Sequence, residues 1–361
     1  MEIFWAGISQ LLKMLFKFRI QSHLMRFLYL PLLTILLSSV LNPARSQSKD
    51  EAASSCIQRA NNMLDEALNL MQKHYYKKES VRWDTLIVAA RNRLNKSGSC
   101  DDAYEAVKWC FAQMNERHSF IMPPTKAAIY NGNINSGSTP VTLSGGIRHE
   151  WLEGNIAYLD VPWLSTADNT ICTAFADSLQ HLIAEYDQKG INKWIIDLRR
   201  NTGGNCWPML AGLGPLLGNG IYGYFVSEAE KIPFSYSNGV IMQGKYGRCT
   251  VTSPYSCTPS SETIIVLTGA NTSSAGEIVA LAFKGKDNVH LYGEPTAGLT
   301  TANATYKLSD GSLLVLTVCK EADRNGTIYE GKIQPDKFVK ADRSAGRDTV
   351  KGSAIMFLQM D

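Results

Sequence analysis

From residue 146 onward, short apolar runs alternate with longer amphipathic ones, and this order restricts the fold more than any other feature. Ile156 to Val161 reads as a strand. Residues 166–186 read as a helix with Ile171, Phe175, Leu179, Leu182 and Ile183 on one face. Trp194 to Leu198 is an apolar strand, followed by a glycine turn and an apolar helix over 207–217. Ile264 to Leu267 is a third buried strand, Ala275 to Phe283 its following helix, and Val289 to Tyr292 a fourth strand. Strands and helices in this alternation predict an α/β fold with a mostly parallel sheet. Residues 303–318 alternate as a hairpin turning at Asp310-Gly311, and 349–360 form a closing helix.

Ahead of this region the texture differs. Residues 49–117 read as helical, with Ile57, Leu64, Leu68 and Met71 on one face and Asp101 capping a run through Val107 and Phe111. Residues 121–145 are rich in Pro, Gly, Ser and Asn and read as a linker or exposed loop. Phe27 to Leu41 is an apolar run behind Arg26, with Ala44-Arg45-Ser46 at its exit. A basic start, a short apolar core and small residues at alternate exit positions describe a secretory signal peptide. The run falls short of the roughly 20 residues of a membrane span. Met25 is an alternative start. The expected division is a signal peptide over 1–46, a helical subdomain over 47–120, the linker over 121–145 and a core over 146–361.

Composition removes several classes of function. Residues 1–46 hold Lys13, Lys17, Arg19, Arg26 and Arg45 against Glu2, so a formal charge of +3 for the whole chain leaves the remainder near neutral. That excludes a polybasic nucleic-acid binder. Hydrophobic content of 45% and charged content of 19% exclude a disordered chain. There is no C-x-x-C pair, no H-E-x-x-H and no phosphate-loop motif, so no metal or cofactor is expected. An export route permits disulfides among the eight cysteines. Cys249 with Cys257 is the best local pair, and Cys100 with Cys110 the next.

Two strand-end turns carry the chemistry. In Asn271-Thr272-Ser273-Ser274-Ala275-Gly276-Glu277, Ser274 stands at the start of an apolar helix. A serine there either caps the helix, stabilising it by about 1 kcal/mol, or acts as a nucleophile beside the free N–H groups of the helix start. In Asp197-Leu198-Arg199-Arg200-Asn201-Thr202-Gly203-Gly204-Asn205, paired glycines let backbone N–H groups approach a ligand, or simply make a tight turn. A nucleophilic serine needs a base. His118, His149, His181 and His290 are all available, and spacing does not choose among them.

The pieces NERHSF, WIIDLRRNTGG, NTSSAGEIVALAF, YGEPTAG and NGTIYEGKIQPD stand in the order of the motifs of the tail-specific, or C-terminal processing, serine peptidases, and the chain resembles that family over 115–361. The resemblance implies a crotonase-like α/β core, a ββα spiral, with an N-terminal helical subdomain. It implies Ser274 as nucleophile in preference to Ser273, and His118 as general base. Backbone N–H groups of Ala275 and of Gly203 or Gly204 would form the oxyanion hole.

Two departures refine the expectation. The bacterial processing branch places a catalytic lysine after its G-E-x-T-x-G motif, and here Gly298 is followed by Leu299. The chain is thereby more similar to the branch of the tricorn core and interphotoreceptor retinoid-binding protein, which implies a glutamate as third member. Glu330 is the best match, with Asp336 its competitor and Glu277 a first-turn helix carboxylate. Second, residues 120–145 are too few for the PDZ module that many relatives carry. The expected protein is an exported serine endopeptidase, periplasmic, secreted or held by an uncleaved signal. Its partner would be a protein or peptide substrate, not nucleic acid, and the mature form would have no membrane span. Activity would rise with pH through the ordinary histidine range. The rivals are a non-catalytic module binding apolar ligands or peptides on the same scaffold, and an acyl-thioester enzyme of the crotonase type.

Overall fold

A computed structural model describes residues 55–97, 102–133, 146–257, 263–342 and 344–360. The predicted signal peptide and residues 134–145 of the predicted linker lie outside them. The chain parts into two units, residues 1–59 and 60–361, and both sheets belong to the second.

The first sheet is the one that the apolar runs predict. It comprises β2 (Arg148–Leu152), β3 (Ile156–Asp160), β4 (Lys193–Asp197), β9 (Thr263–Thr268), β10 (Val289–Gly293) and β14 (Lys337–Phe338), in the order β14-β10-β9-β4-β3-β2. All neighbours are parallel except β2, which runs antiparallel to β3. The central strands are apolar throughout because both faces are covered. Trp194, Ile196 and Val266 face α5 (Asn169–Gln188), α6 (Cys206–Gly212) and α8 (Ala275–Phe283) in the main core. Ile195, Ile265 and Leu267 face the opposite way, onto Val350, Ala354 and Leu358 of α9 (Thr349–Met360).

The second sheet is antiparallel. It contains β1 (Phe120–Met122), β5 (Gly220–Val226), β6 (Lys231–Ser237), β7 (Val240–Gln243), β8 (Tyr246–Thr250), β11 (Thr301–Lys307), β12 (Leu313–Ala322) and β13 (Ile328–Tyr329). The predicted hairpin is the β11–β12 pair. The N-terminal helices α1 (55–74), α2 (Trp83–Ser97) and α3 (Asp102–Gln113) bury a second core against this hairpin. Leu64, Leu68, Met71, Val107 and Phe111 meet Leu308, Leu314 and Leu316 there.

Several sequence expectations need correction. The predicted linker begins inside β1, which pairs with β12, and contains a helix, α4 (Pro124–Tyr130), started by Pro123-Pro124. Helix α5 begins later than expected because Asp168 caps it, accepting the N–H groups of Thr170 and Ile171. The helix expected over 207–217 breaks at Leu213 into α6 and a short α7 (Gly214–Leu217), where a side chain at Gly214 would meet the ring of Tyr236. Neither predicted local disulfide forms. Cys249 is a free thiol buried against the carbonyl of Cys172, and Cys110 is a free thiol in the helical core. Among the described cysteines, Cys56 is disulfide-bonded. Among the described residues, no helix is long and apolar enough to cross a membrane.

Candidate active site

Three consecutive strands of the parallel sheet deliver three loops to one place. β4 leads into the glycine turn, β9 into the turn that carries Ser274, and β10 into residues 294–299. Ligands gather at such carboxyl ends because adjacent loops diverge there and leave a crevice. The Ser274 turn is pinned to the glycine turn. The Thr272 hydroxyl donates to the carbonyl of Leu198 (2.9 Å), and the Ser273 N–H donates to the carbonyl of Asn201 (3.0 Å). Ala297 N–H ties the third loop to the carbonyl of Thr272 at 2.9 Å.

Ser274 itself adopts φ 52° and ψ −114°, a left-handed conformation that costs a non-glycine residue on the order of 1–3 kcal/mol. The carboxylate of Glu277 holds it there. Fully buried, Glu277 accepts the N–H of Ser274 (2.9 Å), the hydroxyl of Thr296 (2.5 Å) and the N–H groups of Gly298 and Leu299 (2.8 Å each). The sequence identified Glu277 as a first-turn carboxylate. The structure adds that it ties two of the three loops together.

The strained turn aims the Ser274 hydroxyl at His118, 156 positions away in the chain. Ser274 Oγ lies 2.7 Å from Nε2, and Thr301 Oγ1 lies 2.8 Å from Nδ1. When Nδ1–H donates to Thr301, Nε2 is left to accept the serine proton. Glu116 sets the backbone of this segment, accepting the N–H groups of His118 (2.7 Å) and Ser119 (2.9 Å). Burial lowers the His118 imidazole to about 4, against the opposing pull of Glu116. It is therefore neutral at pH 7, the form a base requires.

The other histidines are engaged elsewhere. His149 bonds to Tyr186 (2.9 Å), His290 packs edge-on to Phe357, and His181 is exposed. Glu330, expected as the third member, is not at His118. Its carboxyl, 61% exposed, pairs with Lys320, which holds it below the usual carboxylate range. Its competitor Asp336 binds Lys284 (2.9 Å) and the N–H of Leu291 (2.8 Å), holding the chain beside β10. Thr301 occupies the place expected for an acid, and no motif in the sequence pointed to it.

Of the paired glycines, Gly203 lies against Ser274 and Gly204 against Leu164. Gly203 has φ 116°, and a Cβ there would stand 3.1 Å from Cβ and 3.5 Å from Oγ of Ser274. Its N–H donates to the side-chain oxygen of Asn201 at 3.1 Å. Gly204 has φ 100°, and a Cβ would fall 2.1 Å from the carbonyl oxygen of Leu164. The N–H groups of Gly204 and Ala275 have no acceptor among the described residues. A second buried carboxyl, Glu321, has neither oxygen hydrogen-bonded, and burial reinforced by nearby Glu277 raises it well above the carboxylate range. Among the described residues no group of three or more His, Cys, Asp or Glu is placed to hold a metal ion.

The model of peptidase family S41 matches residues 155–339, just over half the chain. The chain belongs to peptidase family S41. It is 34% identical over 202 residues to a nisin-resistance protein of Lactococcus lactis subsp. lactis, covering 55% of this chain and 61% of that one. It is 32% identical over 200 residues to the carboxy-terminal processing protease CtpA of Bacillus subtilis (strain 168), covering 54% of this chain and 37% of CtpA. The chain thus spans about three fifths of one relative and just over a third of the other. Among solved structures, a lipoprotein from Streptococcus agalactiae superposes with a TM-score of 0.63 at 23% identity, covering 84% of this chain and 96% of that one. The photosystem II D1 C-terminal processing protease gives 0.51 at 15% identity, covering 83% and 97%. Both share the mixed α/β fold.

Proposed function

We propose that this S41 chain is an exported serine endopeptidase that works through an acyl-enzyme on Ser274. The observation that carries this reading is the 2.7 Å contact between Ser274 Oγ and His118 Nε2 on a strained turn. In the proposed reaction His118 takes the hydroxyl proton as Oγ attacks the peptide carbonyl. The developing oxyanion is met by the N–H groups of Ala275 and Gly204, the pair left without acceptors, while Asn201 keeps the Gly203 N–H. The imidazolium then gives its proton to the leaving amine, and water repeats the sequence to release the acid. Thr301 holds the tautomer that makes Nε2 the acceptor, the task first assigned to Glu330.

Export is supported by the leader-like residues 1–46 and by the disulfide at Cys56, which suits an oxidising compartment. The likeness to a protein named for nisin resistance makes nisin a first peptide to try. The test is hydrolysis of nisin and a panel of unstructured peptides by the wild type and by Ser274→Ala. The variant is expected to lose roughly 10⁴-fold or more in rate while keeping its stability within about 1–2 kcal/mol. A folded wild type that cleaves none of them, and leaves a fluorophosphonate probe unreacted, would instead identify a binding module on this scaffold.

A further inference from the structure

Strand β11 pairs with β12 along one side, and no other described strand takes its second side. The direction of its free backbone groups follows from β12. Thr317 sends its N–H to Ser119 Oγ (2.9 Å), and its carbonyl accepts the N–H of Tyr76 (3.2 Å), so both groups point away from β11. In an antiparallel ladder, facing residues turn their polar groups either both inward or both outward. Thr317 faces Asn303, so the N–H and C=O of Asn303 point outward from the sheet. The two-residue period turns those of Thr305 and Lys307 the same way. Outside the ladder, no described group bonds to them. An open edge of this kind is a template for another strand.

A groove of about 480 Å³ lies beside the far half of this strand, against α1. Its floor is His74 stacked on Tyr306, with ring centroids 5.1 Å apart. Lys73 and Lys307 stand on its walls, and its one carboxylate, Glu66, accepts the N–H of Ser309 at 2.8 Å. Burial, joined by the charges of Lys73 and Lys78, holds the His74 imidazole below its ordinary value. The near end of the strand is Thr301, which touches His118. From Thr301 to Lys307 is about 20 Å at roughly 3.3 Å per residue.

We propose that the outer edge of β11 docks the polypeptide substrate as an added strand, with a carboxylate of that polypeptide seated between Lys73 and Lys307. This rests on reading Ser274 and His118 as a peptidase centre, because it places the docked segment within about six residues of the attacked bond. Main-chain bonds to Asn303, Thr305 and Lys307 supply affinity without demanding a sequence. The two lysines fix direction and speed encounter, an effect that salt weakens.

The test measures binding to the full chain carrying Ser274→Ala, so that no turnover intervenes. The probe is a fluorescein-labelled decapeptide alternating Val and Glu, read by fluorescence anisotropy at low salt. Adding Thr305→Pro removes the central outward N–H and is expected to weaken binding about tenfold. Adding Lys73→Glu with Lys307→Glu is expected to weaken it at least tenfold, and to favour the same peptide with Lys in place of Glu. Amidating the probe's C-terminus separates the two carboxylate sources. Loss of affinity assigns the groove to the chain end, and unchanged affinity assigns it to acidic side chains. If the probe binds equally to all three proteins, or does not bind, the docking edge is wrong. Fluorophosphonate labelling of the wild type reports separately on the catalytic centre, so its failure would strike the peptidase reading instead.

Discussion

In the proposed reaction the proton passes through His118, and the surroundings of that ring imply a pH dependence unlike that of an exposed histidine. Burial brings its imidazole to about 4. The rise of kcat/KM with pH is therefore expected to be nearly complete by pH 6, with its midpoint well below the ordinary histidine value near 6.5. A pH–rate profile checks this, and a midpoint at 6.5 or above would contradict it. The same depression has a stability sign. The unfolded imidazole takes up its proton first as pH falls, so stability from this group is full above about 6.5 and is lost as pH drops toward 4. At the other ring nitrogen, Thr301→Val removes one hydrogen-bond acceptor. A bond of about 1–1.5 kcal/mol corresponds to roughly a tenfold loss in kcat. Glu330→Gln is expected to change kcat less than twofold, and kinetic comparison of the two variants decides between them. The sequence carried Ser274 and His118 in recognisable motifs, but not Thr301. A threonine's hydroxyl becomes relevant only once β11 lies beside the His118 segment, a contact across 183 positions. Glu330 matched a motif, yet its side chain turns to solvent and Lys320.

Helix α8 shows what element-scale reading can and cannot recover. Its bounds, Ala275–Phe283, were legible because an apolar run follows a polar turn. The work of Glu277 was not, since three of its four donors come from the 296–299 loop. Glu277→Gln keeps the shape but turns an NH2 group toward donors. A cost of about 2–3 kcal/mol is expected, with slower reaction at Ser274 as the turn relaxes from its left-handed conformation. Urea unfolding and the rate of fluorophosphonate labelling measure the two effects, and an unchanged midpoint would contradict this account of the turn. Strands β5 to β8 escaped the sequence reading altogether. Their faces mix buried Tyr222, Phe225, Phe234 and Tyr236 with glycines and partly exposed residues, so period-two alternation is blurred.

At the scale of the whole molecule, the glycine turn is fastened to the helix that covers one face of the parallel sheet. Arg199, at the start of the glycine turn, binds Asp197 on its own strand and reaches Asp348 beside α9 through two bonds of 2.7 and 2.8 Å. Tyr158 completes the cluster by donating to Asp197 at 2.8 Å. Charged bonds of this kind contribute more than neutral ones because the guanidinium is buried. Asp348→Ala is expected to cost about 1–3 kcal/mol and to loosen α9 from the sheet, read as faster amide exchange in 349–360. Exchange unchanged there would mean that apolar packing alone holds the helix. The layered order of strands and helices was legible because it rests on local periodicity. The wrapping of the N-terminal helices over the β11–β12 hairpin was not, because that contact is written in no single segment.

The most direct measurement is to map where a fluorophosphonate attaches to the folded wild-type chain. One adduct is expected, on the peptide containing Ser274, absent from Ser274→Ala and formed far more slowly by His118→Ala. An adduct on Ser273 or elsewhere, or labelling at full rate without His118, would contradict it.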